Sequence, residues 1–266
     1  MNVSRDCEPL ARARHGSAAR PSGRATGGCT SAVARPADAR RQSRVRAFLR
    51  PRPLPGDVSR WTTADVRAYD DRAPAPDETR SFTAALGCFW GPDAAFGALP
   101  GVVRTRTGYA GGTDPDPTYE RIGDHSEVVQ VDYDPAETTF EALVETAVAE
   151  HDPTRQPAKR QYHHVLFYES DEERATVERA LDALAVPQVE TRVEPLESFA
   201  VAEPYHQKFN LRGKRWATDA FDDAGYDRAD VRESPAAAKL NAVLAGRDVP
   251  ELGALGDRTV RDDRAV

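Results

Sequence analysis

Ser81-Phe82-Thr83-Ala84-Ala85-Leu86-Gly87-Cys88-Phe89-Trp90-Gly91-Pro92 holds a complete junction: a short apolar run that reads as a strand, a glycine turn, and the opening of a helix. Proline is tolerated only in the first helical turn, where the backbone N–H needs no partner, so Pro92 predicts a helix beginning no earlier than about Phe89. Pro92, Ala95, Phe96 and Leu99 recur at spacings of three, four and seven and predict its buried face. Cys88 thus stands at a helix N-terminus, where the dipole and free backbone N–H groups lower a thiol pKa from about 8.5 to roughly 3.5–7.5. It is a candidate nucleophile. Position alone leaves a second reading open, because free cysteines are often small buried hydrophobes.

Further along, Val102 to Thr107 reads as a strand, followed by the turn Gly108-Tyr109-Ala110-Gly111-Gly112 and the loop Asp114 to Tyr119. Glu127 to Tyr133 is the clearest strand, with Glu127, Val129, Val131 and Tyr133 on one face, and Asp134-Pro135 ends it. Thr138-Thr139-Phe140-Glu141 predicts a helix opened by a capping box, with Phe140, Leu143, Val144, Ala147 and Val148 along one side. A loop from His151 to Arg160 feeds a strand over His164 to Tyr168. Ser170-Asp171-Glu172-Glu173 caps a second long helix to about Leu184, and Gln188 to Glu194 predicts a further strand. This order predicts an α+β domain, a two-layer sandwich of helices on a mixed or antiparallel sheet, in preference to a doubly wound fold. The Gly-rich turn lacks both G-x-G-x-x-G and G-x-x-x-x-G-K-[ST] spacing, so no nucleotide site is indicated.

Composition divides the chain. Residues 1–55 hold twelve arginines, no lysine and three acids, a net +9, so with −7 overall the other 211 residues carry −16. Rich in Arg, Ala, Ser, Gly and Pro and without apolar periodicity, this tail is expected to be disordered. It reads as a transit sequence, as a basic arm, or as sequence upstream of the true start; the abrupt composition change favours the last, with Val58 as an alternative start. Residues 56–80 read as a polar, Pro-rich lead-in with Trp61 and Tyr69 as anchors, 81–209 as the catalytic domain, and 210–266 as a C-terminal extension with a short docked helix over Ala236 to Leu244. The acidic, Arg- and Ala-rich body, with only Lys159, Lys208, Lys214 and Lys239, has a halophile-like composition and argues against nucleic acid as its partner. No apolar stretch approaches the ~18 residues of a membrane span and no secretory h-region is present, so a cytoplasmic location is expected. Cys7, Cys29 and Cys88 form no disulfide framework and no C-x-x-C pair.

Chemistry-bearing residues cluster around the junction. Successive helix positions point about 100° apart, so Phe89 and Trp90 cannot both enter one core stripe, and at least one lines a concave surface beside the sulfur. Glu127 shares its face with apolar residues; a buried carboxylate without a partner stays protonated and is a proton donor at neutral pH. The alternative is that Glu127 caps the strand end in contact with water. Tyr119 and Tyr162 offer phenols that can stabilise an oxygen, although most tyrosines are amphipathic residues at the core edge. His125, His151, His163, His164 and His206 are too scattered for a metal site.

Together with these residues, Gly87-Cys88-Phe89-Trp90-Gly91, Gly108 to Gly112, Pro117-Thr118-Tyr119, His125-Ser126-Glu127-Val128-Val129, Tyr133-Asp134-Pro135, His151-Asp152-Pro153-Thr154, Gln161-Tyr162 and Ala202-Glu203-Pro204-Tyr205-His206-Gln207 stand in an order that resembles the A-type peptide methionine sulfoxide reductases, over roughly Ser81 to Phe209. The resemblance implies a fold related to the ferredoxin-like plait and reduction of methionine S-sulfoxide, free or in proteins. It implies that Cys88 attacks the sulfoxide sulfur and becomes a sulfenic acid, that Glu127 protonates the oxygen, that Tyr119 and Tyr162 hydrogen-bond to it, and that Phe89 and Trp90 hold the S-methyl group. No metal or cofactor is implied, and a monomer is expected.

Two departures stand out. No cysteine follows Cys88, where many family members carry recycling cysteines, so an external thiol, small or thioredoxin-like, is expected to resolve the sulfenic acid. The loop from His151 to Tyr162 is short, reads Arg155-Gln156-Pro157-Ala158-Lys159-Arg160 in place of a Gly-Asn-Asp element, and is followed by His163-His164 in place of Arg-Ser. The competing classes are a cysteine hydrolase pairing Cys88 with His125 or His206, a peroxidatic cysteine, and a non-catalytic module that binds methionine-like side chains through Phe89 and Trp90.

Overall fold

Strand β1 (Arg80–Leu86) is buried from Phe82 to Leu86 without alternation, the mark of a strand covered on both faces. It lies near the middle of a six-stranded sheet with β2 (Val102–Ala110), β3 (Ser126–Tyr133), β4 (His164–Tyr168), β5 (Arg192–Pro195) and β6 (Phe199–Val201), in the order β5-β4-β1-β3-β2-β6. Every neighbouring pair is antiparallel except β4 and β5, so the sheet is mixed. The computed structural model describes residues 61–252. The chain divides into Met1–Pro53 and Leu54–Val266, and the described residues all belong to the second unit. The Arg-rich tail with Cys7 and Cys29, the alternative start at Val58 and the end of the C-terminal extension lie outside the described residues.

Helices α2 (Trp90–Gly97), α3 (Phe140–Ala149) and α4 (Asp171–Asp182) close the main core. Phe82, Ala84 and Leu86 of β1 and Val129, Val131 and Tyr133 of β3 meet Phe96, Leu143, Val144, Ala147, Val177 and Leu181 there. The opposite face holds a smaller cluster of Ala85, Ala110, Val128, Val165 and Phe167. The fold is thus α+β, with a sheet that curls into a half-barrel rather than lying flat. Right-handed twist accumulates across six strands, and a register shift between Val102 and Arg104 adds to it locally.

A second core is built by α1 (Thr63–Asp70), the helical turn α5 (Phe209–Arg212), α6 (Arg215–Asp223), α7 (Arg228–Glu233) and α8 (Pro235–Leu244). Val66, Leu211, Ala217, Phe221, Leu240 and Val243 are buried in it, and Trp61 and Tyr69 pack against it with ring centroids 5.8 Å apart. Nothing periodic announces α1, because Val66 is its one buried residue; a Thr62–Asp65 capping box starts it instead.

Four local expectations are corrected. Strand β2 runs on through Gly108, Tyr109 and Ala110, expected as part of a turn, because each pairs with β3. Helix α3 is capped by Thr139, whose hydroxyl accepts the Ala142 N–H, but without a capping box, since the third helical position is alanine. The strand expected over Gln188 to Glu194 begins at Arg192, because the N–H groups of Glu190 and Thr191 go to the Pro153 carbonyl instead of a ladder. Helix α2 is buried from Pro92 to Gly97 rather than along one face, since β2 lies against one side and α8 against the other.

Candidate active site

Gly87 has φ of +85°, a backbone state that costs glycine nothing and turns β1 sharply into α2. Cys88 follows, half-buried, and Phe89 caps α2 without a side-chain bond. The Phe89 N–H is spent on Glu127, whose Oε2 accepts it at 3.1 Å. Glu127 is fully buried, stands directly across the β2–β3 ladder from Tyr109, and shares the face of Val129 and Val131. Its Oε1 accepts the Gln161 Nε2–H at 2.5 Å. The water-contacting reading of Glu127 is therefore wrong, and so is the premise that it lacks partners.

Gln161 belongs to a 3₁₀ turn, Arg160–Tyr162, that carries Tyr162 and is tied to the start of β3 by the Ser126 hydroxyl donating to the Arg160 carbonyl at 2.9 Å. The Lys159 ammonium lies 5.0 Å from the Tyr162 ring centroid. The shortened loop before it is stitched to β4 by Gln156, which donates to the His164 carbonyl at 2.7 Å and accepts the His164 N–H at 2.8 Å. His164 in turn packs on His151 at 4.6 Å and is pushed down to about 4, chiefly by burial and then by His151.

Tyr119 arrives from the loop between β2 and β3. Glu203 fixes it: Oε1 accepts the Tyr119 N–H at 2.9 Å and Oε2 accepts the Tyr109 hydroxyl at 2.7 Å. Burial pushes the Glu203 carboxyl up, but the Tyr119 N–H, its own N–H and the Tyr109 hydroxyl outweigh it, so Glu203 sits below the usual carboxylate range. Burial, then Glu203, raises the Tyr109 phenol well above its ordinary value. His206 completes the wall, 3% exposed, with ring centroids 5.0 Å from Phe89, 4.7 Å from Tyr119 and 5.9 Å from Trp90. Burial drives its pKa down to about 4 against the pull of Glu203, so it is neutral at pH 7. Phe209 stacks on Trp90 at 3.7 Å and 9°.

Phe89 is thus buried among Tyr109 and Ala202, while Trp90 is half-buried at the edge of that cluster with Tyr119 and Ile122, dividing the two aromatics as their 100° offset requires. The structure brings the Cys88 turn, Phe89, Trp90, Tyr119 and Glu127 together and sets Tyr162 beside Glu127's partner Gln161. His125 and His163 stand apart from the aromatic wall, and among the described residues no group of His, Cys, Asp and Glu could hold a metal ion. Sequence reasoning gave no role to Gln161 and Glu203, offered His206 only as a partner for Cys88 in a hydrolase, and gave none to Phe209. The first three lay inside the motifs already quoted, and only their partners in space reveal their duties.

The family described as peptide methionine sulfoxide reductase matches residues 80–231. Peptide methionine sulfoxide reductase of Drosophila melanogaster is 36% identical over 169 residues, 62% of this chain and 68% of the fly protein. Peptide methionine sulfoxide reductase A5 of Oryza sativa subsp. japonica is 37% identical over 203 residues, 72% of this chain and 78% of the rice protein. Among solved structures, methionine sulfoxide reductase A of Corynebacterium diphtheriae aligns with a TM-score of 0.46 at 30% identity, covering 61% of this chain and 82% of that chain. The matches make this α+β protein an oxidoreductase. The chain belongs to the peptide methionine sulfoxide reductase family. Its activity is the reduction of peptide methionine sulfoxide.

Proposed function

We propose that Cys88 is the nucleophile of a peptide-methionine (S)-S-oxide reductase. The Cys88 thiolate attacks the sulfoxide sulfur while Glu127 delivers a proton to the oxygen and the Tyr119 and Tyr162 phenols hydrogen-bond to it. The Cys88 Sγ bonds to the substrate sulfur as its sulfur–oxygen bond breaks and the protonated oxygen departs; that oxygen then bonds to Sγ as the Sγ–sulfur bond breaks, so methionine leaves with that electron pair and Cys88 remains as a sulfenic acid. Phe89 and Trp90 hold the S-methyl group. The observation that carries this reading is the 3.1 Å bond from the Phe89 N–H to Glu127, which ties a buried carboxyl to the residue next to Cys88.

With no cysteine after Cys88, two equivalents of an external thiol, from a small molecule or a thioredoxin-like protein, return the sulfenic acid to the thiol, releasing water and a disulfide. A cytoplasmic monomer without cofactor, acting on free or protein-bound methionine sulfoxide and on neither nucleic acid nor membrane, completes the proposal. The net −16 of residues 56–266 supports the part concerning nucleic acid. We read the core as a ferredoxin-like plait and two-layer sandwich extended at both edges. The order β4-β1-β3-β2, with α2 and α3 as its crossovers, supports that reading.

Single turnover without thiol tests the scheme. Mixing the reduced protein with methionine S-sulfoxide should yield one methionine per chain and leave Cys88 as a sulfenic acid, captured as a dimedone thioether in one sample and reduced by dithiothreitol in another, whether or not residues 1–55 are present. Continued turnover without thiol, or loss of dithiothreitol-driven turnover on deleting 1–55, would overturn external resolution; oxygen on another residue would overturn the role of Cys88.

A further inference from the structure

Beneath α2 lies a polar knot that the reaction scheme does not use. Asp93, Thr105, Lys208 and Asn241 are each fully buried. Asp93 Oδ1 accepts the Lys208 ammonium at 3.1 Å and the Thr105 hydroxyl at 2.5 Å, while Lys208 also donates to the Thr105 carbonyl at 2.5 Å. Asp93 Oδ2 accepts the Asn241 Nδ2–H at 3.0 Å. The other end of the same amide, Asn241 Oδ1, accepts the N–H groups of Asn210 at 2.9 Å and Leu211 at 3.1 Å.

These bonds join four pieces of chain, Thr105 being on β2. Asp93 lies on α2, within the first turns after the Cys88 junction. Lys208, Asn210 and Leu211 bracket Phe209, which stacks on Trp90, and Lys208 follows the His206 wall by two residues. Asn241 comes from α8, beyond residues 80–231 that match the family. Lys208 is the only non-glycine residue at positive φ among the described residues, at +49°. A β-carbon resists that conformation, so it persists where surrounding contacts determine it, and here the Asp93 and Thr105 bonds supply them.

Buried ion pairs are poor sources of net stability, since desolvation offsets their attraction, but they fix one arrangement of the groups they join. We infer that Asp93, Lys208 and Asn241 form a positioning device, in which Asn241 sets the aromatic wall of His206 and Phe209 against the Cys88 turn and thereby governs how tightly the sulfoxide's methyl group is held. Asn241 is a positioning residue, since it reaches the site only through Asp93 and the backbone around Phe209.

The inference rests on the proposed site, and steady-state kinetics of the full chain with methionine S-sulfoxide and dithiothreitol separate the two. Asn241→Asp sets a second carboxylate against Asp93 and should raise KM about tenfold, equivalent to about 1.4 kcal/mol, with kcat within about threefold of the parent. The exchange Asp93→Asn with Asn241→Asp restores an amide facing a carboxylate while keeping an acceptor for Asn210 and Leu211, and should return KM to within about threefold. Asn241→Ala removes the donor without adding charge and should raise KM about fivefold, which keeps the test decisive should Asn241→Asp not fold. A purely structural role would lower Tm and leave the KM of the folded fraction alone. Parental KM in the single variants, or no recovery in the exchange, would overturn the positioning role; a parent that does not reduce the sulfoxide at all would overturn the site assignment.

Discussion

Two carboxyls, Glu127 fully buried and Glu203 half-buried, work at different removes from Cys88. Glu203 ties Tyr109 and the Tyr119 backbone and is held in the charged form by those donors, which suits a structural acceptor. Glu127 is fully buried, accepts the amide N–H groups of Phe89 and Gln161, and sits next to the turn where chemistry is proposed. General acid catalysis contributes typically 10²–10⁴-fold, so Glu127→Gln should slow the first turnover by about that factor while substrate binding survives. Rapid-quench measurement of methonine released in the absence of thiol checks it; a near-parental rate would remove Glu127 from proton transfer. Glu127 was legible in the sequence because strand alternation places it in register with Val129 and Val131. Gln161 and Glu203 were not, because their partners stand 34 and 84 positions away, and no periodicity links residues so distant.

At the level of elements, α2 decides how the site is held. It is squeezed between β2 and α8, and a β-carbon on Gly97 would stand 2.7 Å from the Ala238 carbonyl oxygen, a backbone atom that cannot step aside. Gly97→Ala should therefore push α2 and α8 apart and destabilise the fold by about 1–3 kcal/mol, read as a lower urea midpoint with little change in slope. An unchanged midpoint would mean that the two helices do not rest on each other. The strand–turn–helix junction was readable from Pro92 and the apolar run before it, and the ends of β1, β3 and β4 were readable to within a residue or two. Burial of α2 on all sides was not, since a sequence stripe reports what one partner requires and α8 is a second partner 140 residues on. Strand β6 escaped for a related reason: three residues carry no alternation, and β6 exists because it pairs with β2.

Across the molecule, the core that carries the sheet followed from the order of apolar segments, whereas the second core did not. Short helices α5 to α7 and the isolated Val66 of α1 announce themselves weakly, and only their meeting with α8 makes a buried cluster. That cluster gives residues past the matched 80–231 a place in the architecture, through Asn241 and the Gly97 contact, in a chain that has no cysteine there. The whole arrangement converges on one thiol. Its most direct test is to incubate the protein, and its Cys88→Ser variant, separately with the S and R epimers of methionine sulfoxide and dithiothreitol, and to measure methionine. The account predicts conversion of the S epimer alone by the parent and of neither by Cys88→Ser; conversion of the S epimer by Cys88→Ser, or of neither epimer by the parent, would contradict it.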